Sequence, residues 1–427
     1  MKRVVLFLLL TVLAVAVVFA ADTTGARRPL RRSHTPAHAT AAHRRTVVRR
    51  VAPAHRRTVA RRYVRRTAHA RLTSATLTRR RVHRRYLRHR YYERFTADSF
   101  ATTDLTAGDV IGGEDPVVRQ AAIDALGNMN GTVVAIDPAS GRVLAMVNQK
   151  LALSSGAEPC STIKLSVALA ALSEGIITED TPVNLGGHYY LNLTEALAHS
   201  NNLYFETLGR RLGFDRVRHY ATEFGLGELA GWNIPGEKPG LYPDQPIPAS
   251  EGGVGRMCSF GEGVSLTPLQ LGALVAAIAN GGTLYYLQHP TTPQEIADFQ
   301  PRIKRTLDIS RILPSLQDGM AAVVRYGTAR SLRVNFTQFP VLGKTGTCSD
   351  DGTRFGWFAS YADAPSGKVA VVFFLEGGRA TYGPRAAELA GVFYRDLWND
   401  SYFVAKQPLE TSAADSVTSS PAGDPQL

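Results

Sequence analysis

Ser161 and Lys164 stand three residues apart in the stretch Glu158-Pro159-Cys160-Ser161-Thr162-Ile163-Lys164. A polar, turn-prone run (Ser154-Ser155-Gly156) precedes them, and an apolar helical pattern through Leu165, Leu169 and Leu172 follows. Proline suits the start of a helix, so Ser161 falls in or near the first turn. There the positive end of the helix dipole favours an anion on its oxygen. Residues three apart share a helical face. A serine hydroxyl is a weak nucleophile until a base removes its proton, and a desolvated lysine can be that base. Most Ser-x-x-Lys stretches are solvated helix starts, so context decides whether this one is a nucleophile and its base.

Two later stretches supply that context. Ser200-Asn201-Asn202 follows the helical run Leu193 to Leu197, and Lys344-Thr345-Gly346-Thr347 follows the apolar Val341-Leu342. Ser-x-x-Lys, Ser-x-Asn and Lys-Thr-Gly, in that order, resemble the signature of penicillin-binding proteins and serine β-lactamases. Gly131 to Asn148 resembles the family's opening strand pair. Phe260-Gly261-Glu262-Gly263, Thr267-Pro268-Leu269-Gln270 and Ala279-Asn280-Gly281-Gly282 resemble the loop and helix before its third motif. Gly356-Trp357-Phe358-Ala359 resembles the strand after it. The similarity runs from about Asp109 to Trp398 and is greatest to the transpeptidase domain of the high-molecular-weight penicillin-binding proteins.

That resemblance implies roles. Ser161 attacks a carbonyl and neutral Lys164 takes its proton. Ser200 relays the proton to the leaving amine, and Asn202 holds Lys164 and the substrate amide. Lys344 adds positive charge beside Ser200 and so keeps Lys164 neutral. Thr345 and Thr347 offer hydroxyls to a terminal carboxylate, and Gly346 lets a substrate backbone lie against its strand. The N–H groups of Ser161 and Thr347 form the oxyanion hole, in which one donor is worth about 3 kcal/mol of barrier. The implied donor is the D-Ala-D-Ala end of a peptidoglycan stem peptide, the acceptor is an amine of a neighbouring stem, and β-lactams trap the serine. Cell-wall synthesis proteins in division or elongation are the implied partners, and no cofactor or metal is expected. A D,D-carboxypeptidase or β-lactamase would use the same serine, although Ser-x-Asn argues against class D β-lactamases. A weakly catalytic wall-binding scaffold is the reading from outside enzymology. Two departures stand out: Cys160 occupies the position usually held by glycine, and the stretch from Val147 to Glu158 is short.

The elements that must position these residues form an α+β pattern. Thr132 to Ile136 and Val143 to Val147 read as strands joined by the hairpin signal Asp137-Pro138-Ala139-Ser140-Gly141. Helical patterns follow from Ser161 to about Gly213 and from Leu266 to Asn280, with an irregular Gly- and Pro-rich stretch between. Strands return at Val341-Leu342, Gly356 to Tyr361 and Val369 to Leu375, before a helix from about Arg385 to Trp398. The expected fold is an antiparallel sheet, assembled from both ends of the domain and flanked by helices, with an all-helical subdomain.

Charge divides the chain sharply. Of 49 Lys+Arg and 36 Asp+Glu, the first hundred residues hold 25 and 3, leaving 24 and 33 for the rest, that is +22 against −9. Residues 1–20 read as a signal peptide or membrane anchor, with Lys2 and Arg3 before an apolar run from Val4 to Ala20. Residues 21–107 read as a disordered Arg/His-rich linker, 108–401 as the transpeptidase domain and 402–427 as a disordered tail. Arginines from Arg27 onward run against the positive-inside rule. Export to the periplasm or the outer face of the inner membrane is what the resemblance implies. Anionic wall polymers or lipid phosphates are then the partners of the basic segment, with nucleic acid not expected. Three cysteines cannot make a disulfide framework. A Cys258–Cys348 bridge is open in an oxidising compartment, but unpaired small hydrophobes are the expectation. His188, His199 and His219 are assigned no role, and Glu158 and Glu262 are assigned to turns.

Overall fold

The computed structural model describes residues 98–404. The leader (1–20), nearly all of the basic segment and most of the tail lie outside the described residues. Helix α1 (Pro116–Leu126) starts at Asp115, whose carboxylate accepts from the N–H groups of Val117 and Val118. Strands β1 (Gly131–Asp137) and β2 (Arg142–Val147) form the predicted hairpin. Helix α2 (Gln149–Ala152) leads to a 3-10 turn, Cys160–Ile163, which runs directly into α3 (Lys164–Ser173). A short ladder pairs β3 (Val183–Asn184) with β4 (Tyr190–Leu191). Helices α4 (Leu193–Ala198), α5 (Asn202–Leu212), α6 (Phe214–Glu223) and α7 (Gly253–Phe260) follow. After α8 (Pro268–Ala279), strand β5 (Thr283–Tyr285) pairs with β6 (Ile303–Thr306) across the small helix α9 (Pro293–Ala297). Helix α10 (Leu313–Arg325) precedes β7 (Val341–Asp350), β8 (Thr353–Ala364) and β9 (Gly367–Gly377), and α11 (Gly383–Asn399) completes the domain.

The main sheet is antiparallel in the order β2-β1-β9-β8-β7. Its two halves come from opposite ends of the domain, as the sequence predicts, and they meet where Gly131 to Ile136 pair with Leu375 to Ala370. Successive strand residues point to opposite faces. Val372 lies under Gly272 of α8, while its neighbour Phe373 packs against Phe393 of α11, so these two helices cover opposite faces. Every residue of α8 is buried, and a capping box between Thr267 and Gln270 closes its N-terminus. A β-carbon at Gly272 would come within 2.5 Å of Ile136 Cδ1, so glycine there sets the distance between α8 and the sheet.

Helix α10 connects the sheet to the helical part, lying against β7 on one side and α4 on the other. Its C-terminal turn docks on the end of α4, where the N–H of Thr328 donates to the carbonyl of Ala198 at 3.0 Å. A β-carbon at Gly327 would overlap that same carbonyl oxygen. The end of α4 is thereby fixed relative to β7, and Ser200 and Lys344 sit on those two elements.

Two expected boundaries shift. Ordered packing begins before residue 108. Ser99 is fully buried, its carbonyl accepts from Asn130 N–H at 2.9 Å, and Phe100 bridges Met129. These are backbone contacts, which hydrophobic periodicity does not register. At the other end Tyr402 and Phe403, assigned to the tail, are buried, with the Phe403 ring 4.7 Å from that of Phe339. Burial of two aromatic rings outweighs the polar composition that follows them.

Replacing Gly327 with alanine should force α4 and α10 apart. Overpacking of this kind costs about 1–3 kcal/mol, so Gly327→Ala should lower the melting temperature by several degrees in a thermal scan. An unchanged melting temperature would show that the α4–α10 junction yields freely.

Candidate active site

The turn that carries Ser161 is held on three sides. Thr162 N–H and its hydroxyl both bond the carbonyl of Pro159, at 3.1 and 2.6 Å. The indole N–H of Trp357 donates to the carbonyl of Glu158 at 3.0 Å, and Trp357 is itself stacked on Phe374. A disulfide joins Cys160 to Cys348, with the Cα atoms 5.5 Å apart. This corrects the expectation of unpaired cysteines and the alternative of a Cys258–Cys348 bridge. Cys258 is instead buried between α5 and α7, where a β-carbon on Gly209 would come within 2.6 Å of its sulfur. Sequence spacing did not reveal the pair because its partners are brought together only when β7 packs beside the turn.

Cys160 adopts φ +51°, a left-handed conformation that costs an L-residue roughly 1–2 kcal/mol and that glycine adopts freely. A second left-handed residue is Ser200, with φ +53°. It ends α4 in a Schellman motif: Ser200 N–H donates to Leu197 and Asn201 N–H to Ala196. Glycine is the usual occupant of that position. The conformation turns both the carbonyl and the hydroxyl of Ser200 toward Lys164. Asn201 then caps α5 by accepting from Tyr204 N–H at 2.9 Å, which places Asn202 in the first turn.

Four oxygens surround Lys164 Nζ: Ser161 Oγ at 2.8 Å, Ser200 O at 3.0 Å, Ser200 Oγ at 3.1 Å and Asn202 Oδ1 at 2.7 Å. Two of these, the Ser200 carbonyl and Asn202 Oδ1, can only accept. A neutral amine has two N–H groups to give them and one lone pair left for a hydroxyl proton. The side chain is fully buried against the Phe205 ring, whose centroid is 5.6 Å away. Burial holds the Lys164 amine well below the usual lysine range, and the charge of Lys344 adds to this, while Glu206 opposes it. Lys344 is also fully buried, and burial lowers it to about 7. Its Nζ donates to Ser200 Oγ at 2.9 Å and to the carbonyl of Thr345 at 3.0 Å. The Ser200 hydroxyl thus lies between the two lysine nitrogens.

All five predicted catalytic residues, Ser161, Lys164, Ser200, Asn202 and Lys344, are therefore linked in one hydrogen-bonded chain. The substrate-side residues differ in part. Thr345 is buried and its hydroxyl pairs with that of Thr328 at 2.6 Å. Thr347 is partly exposed, and its hydroxyl accepts from Gly383 N–H at 2.8 Å. Gly346 does not leave an open shelf, because a β-carbon there would meet the Pro159 carbonyl at 2.8 Å and Thr162 Cγ2 at 3.1 Å. The missing side chain lets β7 approach the nucleophile's turn. Thr328 and Gly383 carry parts of this site and were not singled out by sequence, and Trp357 was read there only as part of a strand. The one available signal for Thr328 was the Gly327-Thr328 pair ending an amphipathic helix. Glu158, assigned to a turn, has its carboxyl pushed up to about 7 by burial and by Glu262 and Asp350, with Arg256 opposing. Among the described residues no group of His, Cys, Asp and Glu is arranged to hold a metal ion.

Known proteins resemble this chain in sequence and in fold. Stage V sporulation protein D of Bacillus subtilis is 28% identical over 62% of this chain and 48% of its own. Peptidoglycan D,D-transpeptidase MrdA of Acinetobacter baumannii is 25% identical over 64% of this chain and 51% of its own. The chain thus spans about half the length of these curated relatives. The crystal structure of Pseudomonas aeruginosa PBP2 shares the fold with a TM-score of 0.55 at 24% identity, covering 67% of this chain and 74% of that one. The profile of the penicillin binding protein transpeptidase domain matches residues 131–394, and the chain belongs to that family.

Proposed function

We propose that this chain is a serine D,D-transpeptidase that cross-links peptidoglycan stem peptides. The observation that carries the reading is the placement of Lys164 Nζ, buried, 2.8 Å from Ser161 Oγ and fixed by two obligate acceptors. Ser161 passes its proton to the Lys164 lone pair and attacks the carbonyl of the penultimate D-alanine. The oxyanion is held by the N–H groups of Ser161 and Thr347. The proton travels through the Ser200 hydroxyl to the departing D-alanine amine, and Thr347 presents its hydroxyl to that residue's carboxylate. An amine of a second stem peptide then attacks the ester by the reverse route. The relative MrdA bears the name of this activity, at modest identity. A D,D-carboxypeptidase or a β-lactamase would admit water at the last step through the same residues.

Residues 1–20 then act as an export signal or anchor, placing the domain where peptidoglycan is built. The Arg-rich segment tethers the domain to anionic lipid phosphates or wall polymers by charge. Among the described residues no helix is long and apolar enough to cross a membrane.

Intact-mass analysis with a penicillin should give a stable adduct on Ser161 and none on Ser161→Ala, whose melting temperature should be unchanged. Rapid turnover without an adduct would favour the β-lactamase. A folded protein with neither adduct nor turnover would put the scaffold reading first.

The acylation rate should fall as pH drops through the pKa of Lys164, because only the free amine accepts the serine proton. Below about pH 7, where Lys344 becomes charged, its repulsion opposes protonation of Lys164. In Lys344→Met that repulsion is gone, so the Lys164 pKa rises and the acid limb of the rate profile moves to higher pH. A limb that stays in place or moves down would remove this electrostatic role from Lys344.

Deleting residues 21–97 should leave penicillin acylation intact while abolishing salt-sensitive sedimentation with vesicles rich in anionic lipid. Equal sedimentation of the two proteins would take membrane tethering away from the segment.

A further inference from the structure

Two sulfur atoms bracket the acyl-transfer site. Cys160 immediately precedes Ser161, Cys348 immediately follows Thr347, and the bond between them spans 188 residues of chain. On the transpeptidase reading, the N–H groups of those two inner neighbours hold the oxyanion. We propose that the Cys160–Cys348 disulfide is a positioning element of acyl transfer, fixing the two N–H donors relative to each other, so that its reduction slows acylation. The proposal rests on the function given above.

The Ser161 N–H belongs to the peptide plane between Cys160 and Ser161, so its direction depends on the backbone of Cys160. That residue is held at φ +51° with no glycine's freedom to stay there. Once released, an L-residue relaxes toward negative φ and rotates the plane that carries the donor. On the other side, among the described residues β7 is the edge strand of the sheet and pairs only with β8. The residues after Cys348, Ser349 and Asp350, are exposed. The sulfur bridge ties this strand end to the nucleophile's turn. The turn itself keeps a second restraint, the Trp357 indole on the Glu158 carbonyl at 3.0 Å. Both sulfurs lie close to the same carbonyl, at 3.4 and 3.8 Å, which are contacts because neither carries a proton. With that anchor left, reduction should loosen the donors' orientation without unfolding the domain.

A dithiol reductant completes the step. Its thiolate attacks the Cys348 sulfur, since Cys348 is partly exposed and Cys160 is fully buried. Cys160 leaves as a thiolate and takes up a proton. The second thiol of the reductant, as its thiolate, then releases Cys348, which is protonated in turn. The protein ends with two thiols and the reductant with a disulfide. Cys258 does not enter the exchange, because burial pushes its thiol up and keeps it protonated.

The test compares the full chain before and after dithiothreitol. Thiols counted after denaturation should rise from one to three per chain. The saturating rate of penicillin acylation should fall on the order of 10²-fold, with little change in the concentration for half-saturation and in the pH profile, and should return on reoxidation. Cys348→Ser should show the same loss and ignore the reductant. In Cys160→Gly/Cys348→Ser the glycine adopts the positive φ without a bond, so most of the lost rate should return. A saturating rate that does not change when three thiols are counted would overturn the proposal. So would a double variant as slow as Cys348→Ser, since lost packing alone would then explain the effect. An oxidised protein that forms no adduct would overturn the transpeptidase reading and this proposal together, whereas an adduct with equal rates overturns only the latter.

Discussion

The structure is arranged around one dry primary amine whose charged form burial disfavours. A lysine side chain ordinarily carries its charge into water, and burying it disfavours the charged form. Here the amine of Lys164 is fully buried, and what makes that burial tolerable is the supply of oxygens around it. They come from three residues: Ser161 in the turn before α3, Ser200 at the end of α4 and Asn202 at the start of α5. The packing of α4, α5 and α10 can therefore be understood as the means of bringing these oxygens to one nitrogen. Lys344 repeats the arrangement a few ångströms away with its own buried amine and shares the Ser200 hydroxyl.

Much of this was legible in the sequence. The three motifs picked out Ser161, both lysines, Ser200 and Asn202, which the fold brings together, and the alternating runs located the strands of a sheet built from both ends of the domain. The unread parts have physical reasons. The partner of Thr345 is a hydroxyl 17 residues upstream, positioned by a backbone contact at Gly327. Motif reading assigned Gly346 to a ligand's approach, but the same absence of a side chain serves the approach of two protein segments. The cysteine pairing follows from the meeting of β7 with the 3-10 turn, which no local pattern encodes. The N-terminal edge of the domain was misplaced because main-chain hydrogen bonds at residues 99–101 leave no mark on hydrophobicity.

Backbone strain is found at two positions around Ser161. Two of the non-glycine residues with positive φ are Cys160 and Ser200, one next to Ser161 and the other bonded to both lysines. Strained conformations persist only where surroundings over-determine them. At Ser200 the surroundings are a helix C-terminus and two amines, and at Cys160 they are a sulfur bridge and the Trp357 indole. In both places a residue with useful side-chain atoms stands where backbone geometry alone would choose glycine.

The pairing of β1 with β9 also has a consequence for the life of the chain. Residues 131–136 find their neighbours only at residues 370–375. Contacts of such long sequence separation form slowly, because loop closure must be met before they return any stabilisation. Until the last strand of the sheet has been synthesised, β1 and β2 form a two-stranded ribbon with an open edge, and the buried face of α8 lacks most of its cover. Lys344 and Cys348 arrive late as well. A chain interrupted before β7 is therefore not a weaker version of the protein: its sheet is split, its α8 face is uncovered, and Cys160 lacks its partner Cys348. The transit of the unfinished chain is therefore the stage at which it is most exposed to misassembly.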